Sequence, residues 1–331
     1  MSIGSAVVES EATLDSVELV PDEVIARSPM ELFWRRFRSD RVAMVSLGFI
    51  VLLILVAIFA GPIVSLFGLS GPNQPNNVCP GPNCALDLFG QPTGPSSTHP
   101  FGVDTLGRDV LARTIYGAQV SLEVAFIATG IAVFIGVIIG TAAGYFRGWI
   151  DSLLSRLMDI VLAFPILLLA IGLASACSLG KGCLGGLITP GRPTLILVIA
   201  LSSWPYIGRI IRGQTLSLRE KEFIESARSL GASNARIMRR EILPNLVAPI
   251  IVYTSLILPT NILYEAALSF LGVGVQPPTA SWGQMIADAS GVFDTAWWYM
   301  AFPGLALVLT VLAFNLVGDG LQDALNPKLG R

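Results

Sequence analysis

The chain has 331 residues, of which 53% are hydrophobic and only 13% charged, with a formal net charge of −2. Together with a mean hydropathy of +0.69, this excludes an ordinary soluble domain, and the near-zero net charge points to no class of charged partner.

Residues 1–27 are polar and acidic, with Glu9, Glu11, Asp15, Glu18, Asp22 and Glu23. They lack the apolar stretch of a cleavable signal and are expected to form a disordered cytoplasmic tail. Residues 28–41 follow as a predicted elbow helix. In SPMELFWRRFR, Ser28, Pro29 and Glu31 stand at N-cap, first-turn and N3 positions, a capping-box pattern. Phe33, Trp34 and Phe37 beside Arg35, Arg36 and Arg38 suit a helix lying on the inner leaflet.

Residues 42–331 form the predicted membrane domain. Apolar runs at 42–66, 120–146, 153–176, 194–213, 246–271 and 298–318 are each long enough to cross about 30 Å of hydrocarbon. Backbone groups in lipid must be satisfied within the segment, so these are helices, and the fold class is all-α with six transmembrane helices. With both termini inside, 17 of the 21 basic residues lie on the cytoplasmic side and only Arg108, Arg113, Lys181 and Arg192 outside, as the positive-inside rule requires. A bacterial plasma (inner) membrane location, multi-pass with cytoplasmic termini, follows as an expectation.

The loop 67–118 then lies outside. All four cysteines fall in outside loops, Cys79 with Cys84 and Cys177 with Cys183, which favours two local disulfides over free thiols or a metal site. His99 is the only histidine, so no metal site is expected. In GVDTLGRDVLAR, Asp104, Arg108 and Asp109 can form local ion pairs, with Gly102 and Gly107 supplying turns. Trp282, Trp297 and Trp298 read as interfacial anchors.

Ionisable residues inside spans invite a functional reading. Asp159 follows Arg156 by one turn and can pair with it, whereas Glu123 and Glu265, near the outer ends of their spans, are candidates for lining a substrate path. An interfacial or paired charge is the plainer alternative for each. No HExxH, GxSxG or GxxxxGK[ST] pattern occurs, and Gly180-Lys181 is followed by Gly182 rather than Ser or Thr. The chain is therefore expected to be no enzyme, to bind no cofactor itself and to hydrolyse no ATP.

The segment 214–245 interrupts the apolar pattern with a dense run of charge. Phe223, Ile224, Ala227 and Leu230 recur at helical spacing as one apolar stripe. Gly231 reads as a helix stop, Ser233 as the N-cap of a second helix, and Pro244 as its end.

The run Glu225, Ser226, Ala227, Gly231, Ile242, Leu243, Pro244 resembles the EAA-type coupling loop of ABC importer permeases, with Ser226 where the family has Ala. His99–Leu122, Tyr264–Met285 and Trp297–Pro327 resemble the dipeptide/oligopeptide/nickel permease family, specifically its C-type subunit. The resemblance covers most of 29–331 and not residues 1–27 or 67–97. It implies a type I importer bundle whose coupling helices at 220–241 seat in an ATPase subunit, through Glu222, Glu225, Ser226, Ala227, Gly231, Ala232, Arg236 and Pro244. It implies as partners a homologous B-type permease, two ABC ATPase subunits that bind ATP and Mg, and an extracytoplasmic substrate-binding protein. The implied cargo is a di- or oligopeptide, with nickel or another small solute as the alternative. An ion-coupled secondary transporter would instead show two repeated halves with mid-membrane carboxylates, and none are visible.

Overall fold

The computed structural model describes residues 29–75, 85–87, 89–178 and 186–325. Among these, every regular element is helical. The elbow α1 (Pro29–Ser39) begins at the proline, while Ser28, its expected cap, lies outside the described residues. Asp40 caps α2 (Arg41–Ile58) by accepting from the Val42 and Ala43 amides at 2.9 and 3.1 Å. A break at Phe59 separates α2 from α3 (Ala60–Leu66).

The long helix α4 (Val110–Tyr145) starts on Asp109, whose carboxylate accepts from the Ala112 amide at 2.9 Å. Its 36 residues make a rod of about 54 Å, longer than the hydrocarbon layer, so one end stands clear of it. Helix α7 (Arg192–Arg219) runs beside α4 in the same direction. Gly136 meets Ile207, Gly140 meets Gly208 and Ile211, and Gly144 meets Thr215. Parallel neighbours require the intervening chain to recross the whole layer. That segment was expected as one helix over 153–176, but it is two, α5 (Trp149–Ala163) and α6 (Ile166–Ser178), bent by 88°. Pro165 follows an extended Phe164, and proline both lacks the helical N–H and pushes its predecessor out of the helical region. The parallel course of α4 and α7 makes the bent pair a broken span rather than a re-entrant loop.

The charged segment holds α8 (Glu222–Ser229) and α9 (Asn234–Ile237). Pro244 does not end the second helix. A wide turn, Met238–Ile242, in which the Leu243 amide reaches back to the Met238 carbonyl, joins α9 to α10 (Leu243–Phe270). The wider i−5 pattern accommodates the proline near the first turn of α10 without breaking the rod. At the opposite end, the short helix α11 (Trp282–Ala289) lies against α10 and α4 before α12 (Trp297–Leu325) returns. Near the last turns of α12, Gly320 meets Ala43, Asp40 and Phe37. The start of α2, the end of α12 and the charged segment therefore share one end of the bundle.

Trp282 is no surface anchor: it is fully buried and its Nε1 donates to the Thr114 carbonyl at 3.0 Å. Trp298 is likewise buried and donates to Val103, whereas Trp297 is half-exposed. An indole N–H needs a buried acceptor once its ring is used for packing.

A polar bridge inside the bundle had no sequence expectation. Asn261 Nδ2 donates to Thr129 Oγ1, and Ser203 Oγ donates to Asn261 Oδ1, both at 2.8 Å, joining α4, α7 and α10. Asn261→Leu should strand two buried hydroxyls and cost about 1–2 kcal/mol, read as a lowered melting temperature in detergent. The double variant Asn261→Leu/Thr129→Val should lose less than the sum of the two single changes.

Candidate functional site

The charged segment is a rigid platform. In α8, Ile224 faces inward and is fully buried, and Ile237, Ile242 and Leu246 after the turn are fully buried too. They pack with Ile207, Ile211 and Tyr145 from the ends of α7 and α4. Each such side chain contributes about 1.5–3 kcal/mol on burial, enough to hold the platform to the bundle. Polar ties add to it. Tyr145 Oη donates to Asn234 Oδ1 at 2.8 Å, Arg219 Nη1 donates to the Tyr145 carbonyl at 2.6 Å, and Arg147 pairs with Glu220. The sequence reading missed Tyr145 and Arg219; their only local signal is an aromatic and a cation at span ends.

The joint between α8 and α9 is set by Gly231 at φ +77°. The Ala232 amide donates to the Ala227 carbonyl and the Gly231 amide to the Arg228 carbonyl, both at 3.0 Å, the two bonds of a Schellman cap. Ser233 then caps α9 by accepting from the Arg236 amide at 3.4 Å. Both local expectations hold.

The single apolar stripe does not. Ile224 and Ala227 turn inward, while Phe223 is 41% and Leu230 89% exposed. Phe223 and Leu230 lie seven residues apart, so they share one outward face of α8. Glu222, Glu225 and Ser226 are exposed around them, and the two glutamates make no ion pair among the described residues. Ala232 is half-buried, Arg236 is exposed, and Pro244 is exposed at the start of α10. Arg236, Arg239 and Arg240 line an open cleft of about 460 Å³ with Ser233 and Ala235. Phe223 and Leu230 thus form an exposed apolar knob ringed by unpaired charge on a rigid base.

The other candidates lie elsewhere. Glu123 pairs with Arg192 at 3.0 Å, each side chain 44% exposed, between two open clefts of about 450 and 550 Å³. Glu265 is wholly enclosed, one oxygen accepting from Ser269 Oγ at 2.9 Å. Asp159 pairs with Arg209 at 2.6 Å rather than with Arg156, and Arg212 holds Asp151 at 2.6 and 2.9 Å. These pairs cross from α5 to α7, so sequence spacing could not show them.

In the loop before α4, Asp104 meets Arg108 at 2.6 Å as expected, and Asp109 also takes His99 Nδ1 at 2.8 Å. Cys177 is disulfide-bonded; Cys79, Cys84 and Cys183 lie outside the described residues. Among the described residues, no three metal-ligating side chains come together.

Residues 132–331 match the family described as binding-protein-dependent transport system inner membrane component. Residues 28–78 match the N-terminal TM domain of oligopeptide transport permease C. The chain is similar to the glutathione transport system permease protein GsiD of Escherichia coli O6:K15:H31 (strain 536 / UPEC). The two are 44% identical over 320 residues, covering 96% of this chain and 97% of that protein. The same figures hold for its counterpart in Shigella boydii serotype 4 (strain Sb227). Among solved structures, the fold is similar to that of the MetNI methionine ABC transporter in inward facing conformations. The TM-score is 0.55 at 20% identity, covering 65% of this chain and 97% of that one.

Proposed function

This chain belongs to the family of binding-protein-dependent transport system inner membrane components, and from that premise we propose that it forms half of a translocation path for di- or oligopeptides. As a type I ABC importer permease it is a multi-pass inner-membrane subunit and no enzyme; ATP hydrolysis belongs to separate ATPase subunits. The 44% identity to a glutathione permease supports a peptide cargo, since glutathione is itself a tripeptide. A homologous B-type permease would complete the path, and an extracytoplasmic binding protein would deliver the cargo.

The observation that carries the coupling role is the outward knob of Phe223 and Leu230 on a platform fixed by Ile224, Ile237 and Ile242. Glu222, Glu225, Ser226, Ala227, Gly231, Ala232, Arg236 and Pro244 belong to this surface or set its shape. On this reading the basic end is cytoplasmic. ATP-driven closure of the ATPases pushes α8 and α9, and the continuous rod from α9 through α10 passes the movement to the bundle. The nucleotide acts only through its differential affinity for the inward- and outward-open states. Glu123 with Arg192 borders the path at the opposite end, whereas Glu265 reaches it only if α4, α10 and α11 part.

The test is co-purification with the ATPase subunits and uptake by the reconstituted importer. Leu230→Glu should lower ATPase capture about tenfold or more, as loss of a central apolar anchor does, and Glu225→Lys should lower it further. Neither should alter the melting temperature, because both side chains are exposed. Unchanged capture and uptake in the double variant would sink the docking role. Unchanged uptake of labelled tripeptide on deleting the whole permease would sink the cargo assignment.

A further inference from the structure

The cleft of Arg236, Arg239 and Arg240 is left uncovered by the folded bundle. None of the three side chains has an ion-pair partner among the described residues. Three guanidinium groups on one short stretch repel each other and favour an anionic cover. The chain carries such a cover. Residues 1–27 hold six carboxylates against the single Arg27, and they lead directly into α1. The contacts of Gly320 with Phe37, Asp40 and Ala43 put that entry point at the end of the bundle that bears the cleft. A stretch of 27 residues can extend up to about 90 Å, so its carboxylates can reach any point on that end.

We infer that the acidic segment 1–27 docks on the Arg236–Arg239–Arg240 cleft of its own chain. Each exposed arginine–carboxylate contact is weak on its own and weakens further with salt. Tethering raises the effective concentration of the tail to the millimolar range, so several weak contacts suffice to hold it. The docked tail would lie along one flank of the platform. Its consequence for ATPase docking rests on the function proposed above; the contact itself does not.

The full chain in nanodiscs, with the photoreactive substitution Val17→p-benzoylphenylalanine, tests the contact. Adducts mapped by mass spectrometry should fall within residues 228–241 of the same chain, and their yield should drop several-fold at 0.5 M NaCl. Glu18→Lys/Asp22→Lys/Glu23→Lys, which leaves the folded bundle untouched, should lower the yield several-fold. Adding Arg236→Glu/Arg239→Glu/Arg240→Glu should restore it. Adducts on anionic lipid, on another subunit or on other segments would overturn the inference, as would a yield that neither salt nor charge reversal moves. ATPase capture by the same preparations is read separately, so loss of the tail contact and loss of the docking role give different results.

Discussion

Gly140→Val is expected to destroy the folded permease. A Cβ at Gly140 would strike the Gly208 carbonyl oxygen and approach Ile211 Cβ to 3.0 Å. The obstacle is the backbone of α7, which no rotamer change can move. Gly144, whose Cβ would lie 2.6 Å from Thr215 Cβ, and Gly136, 2.7 Å from Ile207 Cγ2, continue the same seam. Close approach of small residues is what holds helices together in lipid, where no hydrophobic drive separates helix–helix from helix–lipid contact. Forcing α4 and α7 apart should cost about 3 kcal/mol or more, seen as loss of the thermal transition in detergent and of protein from the membrane fraction. Gly130 is the control on the same helix: nothing lies within 4 Å of its Cβ. Gly130→Ala should leave melting unchanged, and if it matches Gly140→Val the seam is not what holds α4 to α7.

Gly231→Val should uncouple the platform without unfolding the bundle. The residue sits at φ +77° with no atom within 4 Å of a Cβ, so the penalty is conformational. A side chain in that region costs about 1–2 kcal/mol, with β-branched residues worst. The Schellman bonds of Ala232 and Gly231 would be lost and α8 would swing on its anchor at Ile224. ATPase capture should fall about tenfold while the melting temperature of the bundle changes little. Gly231→Asn, which tolerates the left-handed region, should retain most of the capture. Equal loss for Asn and Val would mean that the partner needs the bare backbone at 231, not the turn.

Much of this site was legible one residue at a time. Gly231 as a stop and Ser233 as a cap are decided within a single turn, so their chemistry is visible in the chain. The inward turn of Ile224 and the outward turn of Phe223 and Leu230 were not, because Phe223, Ile224, Ala227 and Leu230 all fit a helical period. Which side is buried depends on where the ends of α4 and α7 stand. Pro244 shows the limit from the other side: a helix breaker by local rule became the start of α10 because the preceding turn widened around it.

The sequence by itself determined the membrane class, the six crossings, the charged segment and its helix–glycine–helix form, since hydropathy, capping and glycine conformation act over a few neighbouring residues. Only the tertiary structure decided the 88° break in the third crossing, the α4–α7 seam, the Glu123–Arg192 and Asp159–Arg209 pairs and the enclosure of Glu265. Those depend on the rotation of each helix about its axis and on its distance from the next. Packing between segments far apart in the chain sets both quantities, and no local period contains them.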